Sequence, residues 1–125
     1  MNNFIDSVRV SEKARNQLIS LKRKTGIQNW NVLCRWAFCI SIRENSPPPH
    51  ESITTDSPIE MSWRTFTGGN EALYLSLLIE KAKFDRVEIS KSELNQYFKL
   101  HLHRGISYLN SSPIESISSY FKLIE

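Results

Sequence analysis

Three consecutive prolines at positions 47–49 limit the fold of this chain more than any other feature of its sequence. They lie in residues 44–60, which hold four of the five prolines, and such a run excludes a helix and favours an extended segment. In a chain of 125 residues neither flank is long enough to be a domain of its own. We therefore predict a single domain over 1–125. Residues 4–45 form a basic part with a strand and a helix-turn-helix, residues 46–60 a Pro-rich connection, and residues 61–125 a helical part.

Apolar residues recur at helical spacing on both sides of the proline segment. Ser11 is a favourable N-cap for the first helix, and Gly26 supplies the residue that ends it. Further N-caps are predicted at Asn29, Asn70, Ser90 and Ser112. The predicted helices are 12–25, 30–43, 71–84, 91–109 and 113–123.

The remaining elements are short. Residues 4–10 alternate weakly between apolar and polar, which indicates a short N-terminal strand. Residues 61–69 predict a turn or a single helical turn whose aromatic side chains reach the core. In the helix at 71–84 the expected core residues are Leu73, Leu77, Leu78 and Phe84. The predicted fold class is mostly α, a helical bundle with a short N-terminal strand and a ribbon-helix-helix-like beginning.

Charge is distributed unevenly along the chain. Residues 1–45 hold eight basic and three acidic groups, whereas residues 46–125 hold eight basic and ten acidic ones. A basic first part favours an anionic partner, although a solvated helix face explains the same charges. The candidate DNA-binding residues are Arg9, Lys13, Arg15, Lys22, Arg23 and Lys24.

Most of these residues fall on the first helix in two lines. At about 100° per residue, Arg15 and Lys22 lie within roughly 20° of each other, and so do Lys13 and Lys24. The two lines flank the apolar stripe and could follow a phosphate backbone. Phosphate contacts require positive charge but no base-reading geometry, so the pattern indicates anion binding and no sequence preference.

No residue can be named as catalytic, because the chain has no recognisable catalytic motif. His101 and His103 point about 160° apart on a helix, so one metal ion cannot easily take both. Cys34 and Cys39 have neither a redox nor a zinc spacing and are interpreted as small core residues, with a sulfur-carrying role as the lesser alternative. No metal or cofactor is expected. The composition, the absence of a bilayer-spanning apolar run and the low cysteine content predict a cytoplasmic protein without a membrane partner.

The order of strand, helix, glycine-containing turn and second helix resembles the ribbon-helix-helix layout. In that layout paired strands of two copies enter the major groove, and the second helix meets a phosphate at its N-terminus. Ser7 and Arg9 would be the outward strand residues, and the amides near Asn29 and Trp30 the anion site. Asp6 departs from the pattern because it falls on the side that should face the core.

Three stretches together are similar to the DNA sulfur modification protein family DndE: VRVSEKARNQLISLKRKTGIQNWNVLCRWAFC (8–39), MSWRTFTGGNEALYLSLL (61–78) and LHLHRGISYL (100–109). The resemblance covers roughly residues 5–110 in the same order. Its distinctive part is the turn from Gly26 to Asn31 followed by Cys34-Arg35-Trp36.

The resemblance implies a small helical protein of the bacterial DNA phosphorothioation system, which replaces a non-bridging phosphate oxygen with sulfur. It implies binding of double-stranded DNA, nicked duplex in particular, by a homo-oligomer, with a tetramer favoured. It also implies other phosphorothioation proteins as partners. The alternatives are a metal-dependent DNA nickase that uses carboxylates or His103, a sequence-specific ribbon-helix-helix repressor that reads bases through Arg9, and a scaffold for other modification proteins.

Overall fold

The computed structural model describes residues 4–112, and within them five helices and two short strands. In chain order the elements are β1 Ser7–Arg9, α1 Glu12–Thr25, α2 Trp30–Arg43, β2 Glu60–Ser62, α3 Trp63–Thr67, α4 Glu71–Phe84 and α5 Lys91–Ser111. The predicted mostly α fold with a short N-terminal strand is confirmed. The predicted helix at 113–123 lies outside the described residues.

The first helical corner forms where the sequence predicted it. The Ser11 hydroxyl accepts a hydrogen bond from the Ala14 amide at 3.1 Å and so caps α1. Gly26 adopts a left-handed conformation with φ 76°, which suits a residue without a Cβ, and its amide donates to the Lys22 carbonyl. The expected caps at Asn29 and Asn70 are only positional, because neither side chain makes a capping hydrogen bond among the described residues.

The centre of the fold is the packing of α2 against α5, the largest contact between two elements in residues 4–112. At Gly105 a Cβ would come within 1.7 Å of the Ala37 carbonyl oxygen, so only glycine permits this approach of the two helix backbones. Phe38, Phe66 and Phe98 pack edge-on or tilted around this contact, with Trp63 stacked on Phe66.

The sequence predicted one strand, and the structure adds a second. Strand β1 pairs antiparallel with β2 in the register Ser7 with Ser62, Val8 with Met61 and Arg9 with Glu60. The ribbon-helix-helix alternative expected β1 to pair with its equivalent in a second copy, whereas here its partner lies in the same chain. As predicted, the proline segment is extended, and it leads into β2. Before β2, the amide and the hydroxyl of Ser57 both donate hydrogen bonds to the Val10 carbonyl.

The predicted core of α4 is partly wrong. Leu78 is fully buried, but Leu73 is 56%, Leu77 36% and Phe84 67% exposed. The helix carries apolar residues on two opposite sides, and α5 and α3 cover only the side of Leu78 and Ala82.

In the described part of the chain, no helix is long and apolar enough to cross a membrane.

Candidate nucleic-acid interface

The basic residues of α1 lie in two different environments. The C-terminal half of the helix carries Lys22, Arg23 and Lys24, and no acidic residue lies in that half. We call these three residues the basic end of α1. The N-terminal half carries Glu12 together with Lys13 and Arg15. Since the helix packs on α5 and α2 through Ala14, Leu18 and Leu21, the charged residues face away from the core, as the spacing predicted.

Lys22 is held in place by an aromatic ring. Its ammonium nitrogen lies 3.7 Å from the centroid of the Trp30 ring, a close cation–π contact across the turn between α1 and α2. The contact orders the lysine side chain while the charge stays at the surface. The sequence analysis considered only the backbone amides near Trp30, and it did not detect this pairing. Eight positions separate the two residues, a spacing that carries no signal unless the turn is known.

Lys24 and Arg23 complete the basic end of α1. The Lys24 ammonium donates to the Asn110 carbonyl at 2.6 Å, near the C-terminus of α5. A cation there is favourable because the last carbonyls of a helix carry partial negative charge. Arg23 is exposed and forms no ion pair or hydrogen bond within residues 4–112, so its guanidinium is open to a phosphate.

The N-terminal half of α1 is less suited to an anion. Arg15 lies 3.7 Å from the Glu12 carboxylate, one turn before it. Lys13 lines a cleft of about 560 Å³ between the start of α1, the proline segment and α5, and three carboxylates line the same cleft: Glu12, Glu51 and Asp56. These carboxylates oppose phosphate binding there. The structure therefore separates Lys13 and Arg15 from the basic end of α1 by their electrostatic surroundings.

Arg9 is not part of α1. It lies in β1, where its guanidinium forms a 2.7 Å ion pair with Glu60, the residue opposite it in the sheet. Both side chains are nearly half exposed, so the pair is weak and can open. The sequence analysis grouped Arg9 with the other cations because its partner enters only through β2.

The start of α2 lies beside the basic end of α1. The Asn29 side chain makes no capping hydrogen bond, so the first amides of α2 are left without a side-chain cap in the described residues. The N-terminus of a helix carries partial positive charge, which adds to the field of Lys22 next to it. Across the same region Asn31 donates to the Thr65 carbonyl, and Arg35 donates to the Phe66 carbonyl, which holds α3 against α2.

Both histidines of the His-x-His sequence are structural. The Ser11 amide donates to Nε2 of His103 at 3.1 Å, so the proton of the neutral ring is on Nδ1, which donates to the Lys99 carbonyl. Burial lowers the pKa of His103. His101 is fully buried beside the Ser41 hydroxyl, and burial lowers its pKa to about 3, with the nearby Arg104 and Lys81 charges acting in the same direction. With both ring nitrogens occupied, His103 is unsuited to binding a metal or activating a water.

Cys34 is a buried thiol, and Cys39 is a partly buried one that packs against the core. Burial raises the pKa of Cys34 to about 12, and it also raises the pKa of Cys39. The thiolate is the form that attacks sulfur or binds metal, and both side chains are kept from it at neutral pH. The arrangement favours the prediction that they are core residues. Within residues 4–112, His, Cys, Asp and Glu form no group of three that could hold a metal ion.

Comparisons with known proteins agree on one family. The family model for the DNA sulphur modification protein DndE matches residues 7–116. Among solved structures, the chain is similar to DndE from Escherichia coli B7A, described as involved in DNA phosphorothioation modification, with 22% identity and a TM-score of 0.71 over 86% of this chain and 99% of that one.

A glycine-to-lysine mutant of DndE, described as involved in DNA phosphorothioation, has a TM-score of 0.66 and 19% identity over 86% of this chain and 98% of that one. No curated protein sequence matches the chain. At these identities the two solved structures show that the fold is shared.

Proposed function

The chain belongs to the DndE family of DNA sulphur modification proteins, and on that premise we propose that it binds double-stranded DNA through the basic end of α1. The observation that carries the proposal is the placement of Lys22, Arg23 and Lys24 together in the last turn of α1, in a half of the helix that contains no acidic residue. A DNA-binding component of the phosphorothioation system needs affinity for the phosphate backbone, and this surface offers positive charge without side chains arranged to read bases.

The arrangement of the neighbouring residues supports phosphate contact. Trp30 keeps the Lys22 ammonium at the surface, and the start of α2 adds partial positive charge beside it. Arg23 is free to form a two-pronged contact with a phosphate. The Lys24 ammonium already donates a hydrogen bond to the Asn110 carbonyl, so Lys24 contributes less to phosphate binding. Arg9, Lys13 and Arg15 are secondary contacts in this proposal, because each has an acidic residue beside it.

A preference for nicked over intact duplex, and a homo-oligomer as the working form with a tetramer favoured, belong to the same proposal. The resemblance described above supports both. Other phosphorothioation proteins are the expected protein partners. The cytoplasm, where DNA modification takes place in bacteria, is the proposed location.

Titration of binding against salt is the direct test. Affinity for a short duplex should fall steeply with salt, with a log–log slope near −0.9 for each phosphate contact. The variant Lys22→Glu with Arg23→Glu should lose binding. A matched control with the same change of charge is Arg43→Glu with Lys83→Glu, at exposed positions near the far ends of α2 and α4. Equal affinities of wild type, variant and control would overturn the proposed surface.

The same protein preparations test the remaining parts. Intact and centrally nicked duplexes of one sequence should differ in affinity, and equal binding contradicts the nick preference. Incubation with supercoiled plasmid and divalent ions, with and without chelator, tests the nickase alternative. Footprinting on mixed-sequence DNA tests base reading: a protected site that disappears in Arg9→Ala would favour the repressor alternative over backbone binding.

A further inference from the structure

The cleft between the start of α1, the proline segment and α5 has the size and lining of a binding site. Its volume of about 560 Å³ lies within the range of cavities that hold ligands. Ala14, Pro48 and Leu100, one from each wall, are buried and form an apolar floor. Tyr108 is 37% exposed and adds an aromatic ring to the lining. The cleft therefore offers apolar surface to a ligand as well as charge.

The charges of the cleft that remain open to a ligand favour a cation. The Glu51 carboxylate forms no ion pair or hydrogen bond within residues 4–112. Asp56 accepts from the Glu12 amide through Oδ1, and its second oxygen is available. On the positive side, Arg104 already donates from three nitrogens to α2 and the residues after it, which leaves the exposed Lys13.

The proline segment also brings unpaired backbone groups to the cleft. The amides and carbonyls of Ser52, Ile53 and Thr54, which line it, form no hydrogen bond with any other group in residues 4–112. In an extended segment such groups can pair with those of a second extended chain, as when a peptide joins the edge of a sheet. A ligand that uses them must itself have a peptide backbone. The cleft is therefore better suited to a peptide than to a small organic cation.

We propose that the cleft receives an extended, positively charged segment of another protein. The backbone of that segment pairs with residues 52–54, and a lysine or arginine side chain reaches Glu51 and Asp56 while its methylene groups lie on the apolar floor. Charge complementarity selects this occupant over DNA, whose phosphates the same carboxylates repel. The inference rests on the protein partners expected in the proposed function and gives one of them a surface.

The cleft and the basic end of α1 lie at opposite ends of one helix. Lys13 and Arg23 are ten positions apart, which is about 15 Å along a helix that rises 1.5 Å per residue. A protein segment in the cleft therefore leaves the basic end of α1 uncovered. One protomer can hold DNA and a protein partner at the same time.

Titration with synthetic peptides tests the occupant. The probe is a short peptide of alternating threonine and arginine with both ends blocked, and one control has glutamine in place of arginine. A second control carries methyl groups on its backbone nitrogens, so it keeps the charge but cannot donate. The arginine peptide should bind most tightly, and the NMR signals of the Ser52, Ile53 and Thr54 amides should shift. Equal affinities of the three peptides, or no binding at all, would overturn the proposal.

A pair of isosteric substitutions tests the site. Glu51→Gln with Asp56→Asn removes both charges but keeps the oxygen that accepts from the Glu12 amide. This variant should bind the arginine peptide about fivefold more weakly, because two exposed ion pairs are lost. Glu80→Gln with Glu88→Gln makes the same charge change at exposed positions outside the cleft and should keep the wild-type affinity. Equal losses in the two variants would mean that net charge alone attracts the peptide, against the proposal.

DNA affinity separates this inference from the proposed function. The cleft variant should bind a short duplex at least as tightly as the wild type, since it removes negative charge. Loss of DNA affinity in that variant would mean that the cleft contacts DNA and would overturn the proposed occupant. If the arginine peptide fails to bind while Lys22→Glu with Arg23→Glu still abolishes DNA binding, the inference alone is wrong. If the peptide binds as expected and that variant keeps its DNA affinity, the DNA-binding surface alone is wrong.

Discussion

The two helices α1 and α4 have the same length of 14 residues and pack on the same central helix, α5, yet they present opposite surfaces. α1 buries one apolar stripe and turns its charged residues outward. α4 buries Leu78 and Ala82 on one side and exposes a second apolar row on the other. The difference gives one small protein two unlike surfaces, one charged and one apolar.

The positions of α1 and α4 both depend on the close packing of α2 against α5. Disrupting that packing should have the largest effect on the protein. Gly105→Ala places a methyl group on the Ala37 carbonyl, so α5 must move away from α2. We expect a loss of more than about 4 kcal/mol in the free energy of unfolding, with both surfaces disrupted together. Urea unfolding measures it. Ser107→Ala, on the same helix, should change little, and a Gly105→Ala protein of near wild-type stability would contradict the close packing.

Replacing a leucine by alanine should lower the stability of the protein much more in α1 than in α4. Leu18 of α1 is fully buried, and Leu18→Ala should cost about 2–5 kcal/mol through the lost contacts and the cavity. Leu73 of α4 is mostly exposed, and Leu73→Ala should change the stability of the protomer by less than about 0.5 kcal/mol. Unfolding should be followed at low protein concentration, where association does not contribute. Similar costs for the two changes would mean that α4 is oriented differently.

Acid should affect the start of α1 more than α4. The lowered pKa values of His101 and His103 mean that the folded state resists protons that the unfolded state takes up near pH 6.5. The contribution of the two histidines to stability is therefore fully present above about pH 6.5 and is lost as the pH falls. For His101 the loss continues towards pH 3, with a slope of up to about 1.4 kcal/mol per pH unit. The lowered pKa of His103 acts in the same direction. Protonated His103 can no longer accept from the Ser11 amide, so hydrogen exchange in the first turn of α1 should accelerate.

The pH dependence has a direct control. His103→Gln keeps an acceptor without a titrating group and should reduce the slope of stability against pH. His50→Gln, at an exposed position in the proline segment, should leave it unchanged. A wild-type protein whose stability is flat across this range would show that the two histidines are not held neutral.

The sequence predicted α1 more fully than α4 for a physical reason. Ser11 and Gly26 mark both ends of α1, and its apolar residues occupy a single stripe, so both its bounds and its buried side follow. The bounds of α4 also follow, but apolar residues on two sides leave open which side meets the rest of the chain. That choice depends on how α5 and α3 pack, which no local pattern encodes.

The candidate site shows the same limit. The basic residues of α1 could be named from the sequence, because charge and helical spacing are local properties. The contacts that place these basic residues in different surroundings could not be predicted from the sequence. Glu60 beside Arg9 depends on the unpredicted strand β2, and Trp30 beneath Lys22 depends on the path of a turn. The buried state of His101 and His103 follows from contacts with α2 and with the start of α1, both distant along the chain.

One of those distant contacts bears on how the chain is made. The Ser11 amide, at the start of α1, is bonded to His103, which lies 92 positions later. A ribosome adding about 5–20 residues per second needs on the order of 5–20 s to cover that interval. During this time Ser11 is present in the chain without the residue that its amide will bond. The segment around Ser11 is therefore among the last to reach its final place, and until then its apolar face is available to chaperones.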